Sequence, residues 1–275
     1  MNNSALNFTT PEQSTTKSTG LVETLNTCVH SFSFLVGLPT HCYVAWLIIS
    51  GAGSGVASEF FILNLSVSEI VFCVNCLTFV LSHWFSFIVD FKLFLVGIII
   101  SGRPLFQCLM CVERYLAVVH PVTFLKYKPL RYRVICCIVS WIIILGSCLC
   151  CIFTILLHYI VHMWFLSVQF LVFFLIQLFC LVAVLRALKQ SGPGERGRER
   201  GEENHMKRRA FNLILITTVT MVITHVPYCI SGFITIITEK RFDAQWVPGL
   251  FCYVLAGFVQ PVLYLHRARK LSCLL

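Results

Sequence analysis

Within the stretch SGRPLFQCLMCVERYLAVVHP, residues 101–121, three charged side chains, Arg103, Glu113 and Arg114, are set in apolar sequence. An ionised side chain inside a membrane-spanning segment is costly and faces protein or water rather than lipid, so each of the three needs a partner. Glu113 and Arg114 are adjacent and can neutralise each other while remaining movable, which makes them a candidate switch; the plainer alternative is a pair of interfacial residues reaching out to water. Arg103 lies eleven positions before Arg114, about three helical turns deeper at roughly 1.5 Å per residue. At that depth its side chain does not reach water easily.

The chain has 15 cysteines, four of them in the pairs CVNC (73–76) and CLMC (108–111). Paired CxxC spacings in a cytosolic chain point to zinc. Here both pairs sit in apolar runs, where cysteine serves as a small buried residue and where deprotonating four thiols would be expensive. No metal and no cofactor is expected.

These residues need elements to hold them, and composition says which kind. Of 275 residues 57% are hydrophobic and 12% charged, with a mean hydropathy of +0.83, against about 25% charged in soluble domains. A helix crosses the hydrocarbon with about 20 apolar residues. Seven such segments follow from the charged, Gly and Pro clusters between them: 28–49, 59–81, 86–119, 134–157, 163–187, 210–237 and 246–265. The boundary between the fourth and fifth rests only on HYIVHM. Backbone groups in lipid must bond internally, so the expected fold class is an all-α membrane protein, a seven-transmembrane helix bundle. No enzyme-sized soluble domain is left over.

Of the 21 Lys and Arg, sixteen fall at one end of these segments: Arg114 at the end of the third and fifteen in the loop after it, the linker after the fifth and the tail. Four fall at the other end, and Arg103 lies inside. The excess of basic residues on cytoplasmic loops puts the N-terminus outside, the C-terminus in the cytoplasm, and the protein in the plasma membrane. The net charge of +9 then reflects topology and contact with anionic membrane lipids, and no nucleic-acid partner is implied. Residues 1–27 read as a disordered outer tail, 28–265 as the transmembrane domain with a mobile linker over 188–209, and 266–275 as a short cytoplasmic tail. Asn2 and Asn7 lie in N-x-S/T patterns that fit glycosylation of an outer tail or chance in a Ser/Thr-rich one. Cys273, after HRARK, is a candidate for palmitoylation or a simple tail residue.

VERYLAVVHP at 112–121 resembles the end of the third helix of rhodopsin-like (class A) G-protein-coupled receptors, where an acid, an Arg and a Tyr (here Glu113, Arg114 and Tyr115) lead into a basic loop. NLSVSE (64–69) is similar to the family's NLxxxD, Trp141 takes the place of its helix-four tryptophan, THVPY (224–228) resembles CWxPY, and QPVLY (260–264) resembles NPxxY. The resemblance spans about 28–270. It implies that Glu113 restrains Arg114 at rest and that Arg114 turns toward a heterotrimeric G protein when helix six tilts outward. His225 and Pro227 then form the helix-six hinge, and Pro261 and Tyr264 part of the switch. The resemblance also places Arg103 where the family keeps a small hydroxyl residue of a sodium site, with Glu69 as the helix-two acid, Gln260 for its helix-seven asparagine and His41 for that of helix one. Arg103 is therefore expected to pair with Glu69, either as a switch or as a fixed bridge.

Departures accompany the match. The helix-three cysteine of the outer disulfide falls at Val89, the second outer loop has no cysteine, the helix-six tryptophan is His225, and a latch acid is Lys207. Val96 and Val254 stand where amine receptors and opsins need Asp and Lys. The expected function is a receptor, not an enzyme, that transduces an unknown extracellular ligand into G-protein activation; the Phe, Leu, Ile and Val of the outer helix halves suit either an apolar ligand or core and lipid contact. The rivals are a receptor-like partner or decoy that does not signal, and a transporter with Glu69 and Arg103 as its ion site, which the lack of an evident inverted repeat disfavours.

Overall fold

Seven helical stretches are long and apolar enough to cross a membrane: Gly20–Ile49, Glu59–Leu81, Phe94–Val119, Arg131–Thr154, Ile160–Lys189, Arg208–Thr238 and Ala244–His266. They come from a computed structural model that describes residues 12–51, 59–82, 84–85, 89–127, 130–157, 159–190, 197–238 and 243–272. The first span is α1 (Glu12–Phe32), a π-helical turn (Ser33–Gly37) and α2 (Leu38–Ile49). The next two are α3 (Glu59–Leu81) and α4 (Val89–Val119), which is followed by a short α5 (Pro121–Tyr127). Then come α6 (Leu130–Leu157), α7 (Tyr159–Gln190) and α8 (Gly197–Thr238). A 3₁₀ turn (Asp243–Trp246) opens the last span, α9 (Val247–Gly257) and α10 (Val259–Ser272).

Prolines mark where these helices start and bend. One sits in the first turn of α2 and another in that of α9, where the missing N–H would have no helical partner anyway. Pro104 and Pro227 lie inside α4 and α8. Each removes a ladder bond, which a membrane bundle tolerates because neighbouring groups re-satisfy the freed carbonyl.

The spine of the bundle is α4, which contributes side chains to every one of its main core clusters. One cluster joins Leu95, Ile98 and Phe106 to Phe61 and Leu65 of α3 and Ile144 and Cys148 of α6. A second places Phe72, Cys73 and Cys76 of α3 against Tyr253 and Val254 of α9, with Ile99 at its edge. The other two join Cys108 and Cys111 to α7 and α8 through Phe173, Cys180, Val184, Ile214 and Met221. Close approach of α4 to α6 depends on Gly97, where a Cβ would run into the Cys148 backbone. The two CxxC pairs thus lie in different clusters, and the described cysteines are free thiols.

Two regions expected to be irregular are helical where described. Residues 12–27, assigned to the outer tail, belong to α1, where Thr24 and Thr27 donate to the carbonyls of Gly20 and Glu23 at 2.8 and 2.9 Å and so keep their hydroxyls satisfied within the helix. Residues 197–209 of the expected mobile linker open α8; their Glu and Arg are good helix formers, and the segment runs without a break into the sixth span. Asn2, Asn7 and Cys273 lie outside the described residues.

Asn64, inside α3, joins α3 to α6. Its Nδ2 donates to the Phe60 carbonyl at 2.9 Å, and its Oδ1 accepts from Trp141 Nε1 at 2.9 Å. Interhelical bonds of this kind in membranes contribute about 0.6–2 kcal/mol. Asn64→Ala, which leaves the indole N–H without its acceptor, is expected to lower the melting temperature of purified protein. Trp141→Phe in the same background should add little. An Asn64→Ala protein that melts with the wild type removes this bond from the account.

Candidate functional site

Near the middle of the second and third spans, Glu69 of α3 and Arg103 of α4 form a bidentate pair. Arg103 Nε donates to Glu69 Oε1 and Nη2 to Oε2, each at 2.5 Å. The third guanidinium nitrogen, Nη1, donates to the backbone carbonyl of Tyr253 on α9 at 2.6 Å. The guanidinium carbon lies 3.5 Å from the Tyr253 ring centroid and 5.8 Å from that of Phe72, and Tyr253 is itself held by its hydroxyl donating to the Ile99 carbonyl at 2.9 Å. Both charged side chains are almost wholly buried, at 2% and 4% exposure.

A buried ion pair offsets its desolvation only with good geometry and its remaining hydrogen-bonding groups satisfied. This one has the parallel fork that Arg and carboxylate favour, a carbonyl for the third nitrogen, and an aromatic face over the cation. α9 ends just beyond, at Gly257, so the electronegative end of a helix lies on the guanidinium side. The unit joins α3, α4 and α9.

Gly257 is part of this geometry. A Cβ there would lie 2.9 Å from Arg103 Nη2 and 3.3 Å from Glu69 Oε2, inside the fork. Neither Tyr253 nor Gly257 is singled out by sequence reasoning; the available signal is their spacing of four, which stacks them on one helical face.

Gln260, expected to belong to the pair, instead lines a cavity of about 10 Å³ beside it, with His41, Ser66, Gln107 and Pro261. His41 is 4% exposed and Gln107 1%. The His41 Nδ1 and Gln107 Oε1 atoms have no hydrogen-bond partner among the described residues.

At the far end of α4, Glu113 pairs with Arg133 of α6, Oε1 to Nη2, at 3.1 Å. Arg133 is a partner in addition to Arg114, the neighbour expected from the sequence. Neighbours in sequence on a helix point about 100° apart, whereas Arg133 approaches Glu113 from an adjacent helix. The Glu113–Arg133 contact is close but not aligned as a hydrogen bond, and Glu113 Oε2 has no hydrogen-bond partner among the described residues. Tyr115 shares its hydroxyl with His120 Nε2 at 3.0 Å and packs edge-on against Phe179 of α7, centroids 5.5 Å apart. In α8, the His225 ring stacks on Phe170 of α7 at 5.1 Å, its Nδ1 lies 3.0 Å from the Met221 carbonyl, and Pro227 follows within the same helix. Pro261 and Tyr264 are buried on α10. The structure therefore brings together Glu69 and Arg103, with Gln260 nearby, and leaves the Glu113 and His225 groups as separate clusters.

Seven helices of membrane-spanning length, with charged pairs in the middle and at one end, describe a multi-pass membrane protein. Residues 40–159 match the family model "7 transmembrane receptor (rhodopsin family)". The chain is similar to chemokine XC receptor 1 of human and of mouse, 30% identical to each, over 76% and 77% of the chain and 64% and 67% of those proteins. It is 24% identical to the rat uracil nucleotide/cysteinyl leukotriene receptor over 92% of the chain and 82% of that protein. The chain belongs to the rhodopsin (class A) family of seven-transmembrane receptors, a family of receptors and not of enzymes. It spans about two thirds of the length of the XC receptors it matches.

Because the Gly257 face is closed by the ion pair, Gly257→Ala is expected to destabilise the protein by about 1–3 kcal/mol, the usual cost of overpacking a tight core. In an Arg103→Ala background the same methyl enters vacated space, and the loss should vanish. Thermal melts of the four proteins check both; an equal loss in the two backgrounds would place the clash elsewhere.

Proposed function

We propose that the chain is a plasma-membrane receptor, with its N-terminus outside and its C-terminus in the cytoplasm, that passes ligand-induced helix rearrangement to a heterotrimeric G protein through Arg114. The observation that carries this reading is the state of Glu113. Its carboxylate is held by Arg133 from α6 through an unaligned contact, and one oxygen has no hydrogen-bond partner among the described residues. Such a carboxylate is weakly committed, so exchanging its partners as α4, α6 and α8 shift costs little. Arg114 and the basic side chains Lys126, Arg131, Arg208 and Arg209 then face the acidic and polar groups of a partner.

The ligand acts from the outer side. The relatives carry the names of chemokine and of uracil nucleotide/cysteinyl leukotriene receptors, and those classes are the first to screen, beside apolar ligands suited to outer helix halves rich in Phe, Leu and Val. A second reading is supported by one observation: the Arg103 unit joins three helices through a bidentate pair and a carbonyl. A bundle so tied suits a receptor-like partner or decoy that does not signal.

The test is basal and ligand-driven nucleotide exchange for each G-protein class at matched surface expression. Arg114→Ala should abolish exchange while leaving surface expression within about twofold, since substitutions away from the core change stability little. Glu113→Gln, which removes the negative charge beside Arg114, should raise basal exchange. Full activity of Arg114→Ala contradicts the coupling role. Silence of the wild type and of Glu113→Gln with every G protein and every ligand class favours the second reading.

A further inference from the structure

The sixth and seventh spans meet in side-chain contacts that neither the ion pair nor the Glu113 switch uses, at the end that the proposed orientation puts outside. A hydroxyl inside a helix can bond the carbonyl four residues back, and the threonines of α8, from Thr217 to Thr238, all do so. Ser231 instead reaches across: its Oγ donates to the backbone carbonyl of Gln245, in the 3₁₀ turn before α9, at 2.7 Å. That carbonyl needs a donor, because its i+3 partner in such a turn is Pro248, which has no N–H. The Gln245 side chain returns the contact. Its Nε2 donates to Thr235 Oγ1, which itself donates to the Ser231 carbonyl at 2.9 Å. The bonds close a ring between the two spans, with Ser231 and Thr235 only 5% and 6% exposed.

Tyr228 lies on the same side of α8, since 228, 231 and 235 share one helical face. Its ring lies on Gly249 of α9, where a Cβ would come within 3.3 Å of three ring carbons. It stands edge-on to Tyr253, centroids 6.4 Å apart, and packs against Trp246 at 6.1 Å. Tyr253 in turn accepts from Arg103, so the part of α8 beyond Pro227 is tied to α9 and, through it, to the mid-membrane pair. Before Pro227 the helix has other neighbours: Ile214 and Met221 pack with α4 and α7, and His225 stacks on Phe170 of α7. Pro227 stands where the partners change and removes the helical bond to the Ile223 carbonyl.

We propose that Gln245 is a positioning residue: by clasping Ser231 and Thr235 it makes residues 228–238 part of one rigid unit with the seventh span, and it confines movement of α8 to the part before Pro227. The clause on movement rests on the receptor reading above, and the clasp itself does not.

The clasp is tested by amide hydrogen exchange of the full chain in detergent for the wild type, Gln245→Met, Thr235→Val and Thr235→Ser. Loss of one bond of the ring should speed exchange about three- to tenfold over 231–238 and 243–250 together, in Gln245→Met and Thr235→Val alike, while 208–226 keeps its wild-type rate. Thr235→Ser retains the hydroxyl and should match the wild type. A rise along the whole of α8, or in one of the two segments without the other, overturns the clasp. Movement is tested by joining Thr235→Cys to Gln245→Cys in the Glu113→Gln background, oxidised and then reduced, with each single cysteine variant as the control for the native thiols. G-protein nucleotide exchange should be equal in the two states; a loss on oxidation that reduction restores shows that the two ends part, and overturns the rigid unit. If nucleotide exchange is absent throughout, the receptor reading falls and the amide rates still decide the clasp.

Discussion

A guanidinium and a carboxylate that have left water at mid-membrane constrain everything packed around them. Removing one partner of such a pair leaves an uncompensated charge, at a typical cost of about 3–5 kcal/mol, so the two side chains must meet in any folded state of the chain. Glu69 and Arg103 meet with both carboxylate oxygens used and a third bond to Tyr253. That requirement sets the distance between α3 and α4, brings α9 against both, and demands a glycine at 257 where any side chain would enter the fork. The core cluster of Phe72, Cys76 and Tyr253 packs beside the unit, with the Phe72 and Tyr253 rings near the guanidinium.

The charged pair at the end of α4 follows different physics. Glu113 and Arg133 are 9% and 8% exposed, their contact is misaligned, and hydrogen-bonding capacity is left over. A pair of this quality can change partners, whereas the middle pair cannot without several bonds breaking together. The same chain therefore carries one fixed and one adjustable ionic contact along a single helix, α4. In the proposed receptor, rearrangement pivots about the first and is read out at the second.

The helical spans were legible because lipid imposes a length and an internal hydrogen-bond rule that few other folds meet: the 59–81 segment and α3 coincide, and the other six agree within a few residues apart from the three ends, at the start of α1, the start of α8 and the end of α10, where helices run on into polar sequence. Those extensions escaped notice because hydropathy reports the membrane, not the helix. Residues such as 197–209 have helix-forming side chains without apolar character. The contact of Glu69 with Arg103 was legible for the same reason as the spans, since ionised types in apolar sequence have few ways to be satisfied. Tyr253 was not, because it contributes a backbone carbonyl and a ring face, and neither depends on a residue pattern that marks it out. Arg133 was hidden differently. Counted among the basic residues of an inner loop, it lies in the first turn of α6, and only the packing of α6 on α4 turns it toward Glu113. Adjacent charges suggest Glu113 with Arg114, and adjacency says nothing of a further charge that arrives from another helix.

The central claim, that the Glu69–Arg103 pair organises the bundle, is tested most directly by a double-mutant cycle on stability. Glu69→Leu, Arg103→Met and the double change are compared with the wild type in thermal and denaturant melts of purified protein. Each single change should lower stability severely, by about 3–5 kcal/mol. The double change should be far less harmful than the sum, approaching the wild type, because two apolar side chains of similar volume can replace a buried pair that breaks when only one is lost. Losses that add strictly, or single variants that melt with the wild type, would contradict it.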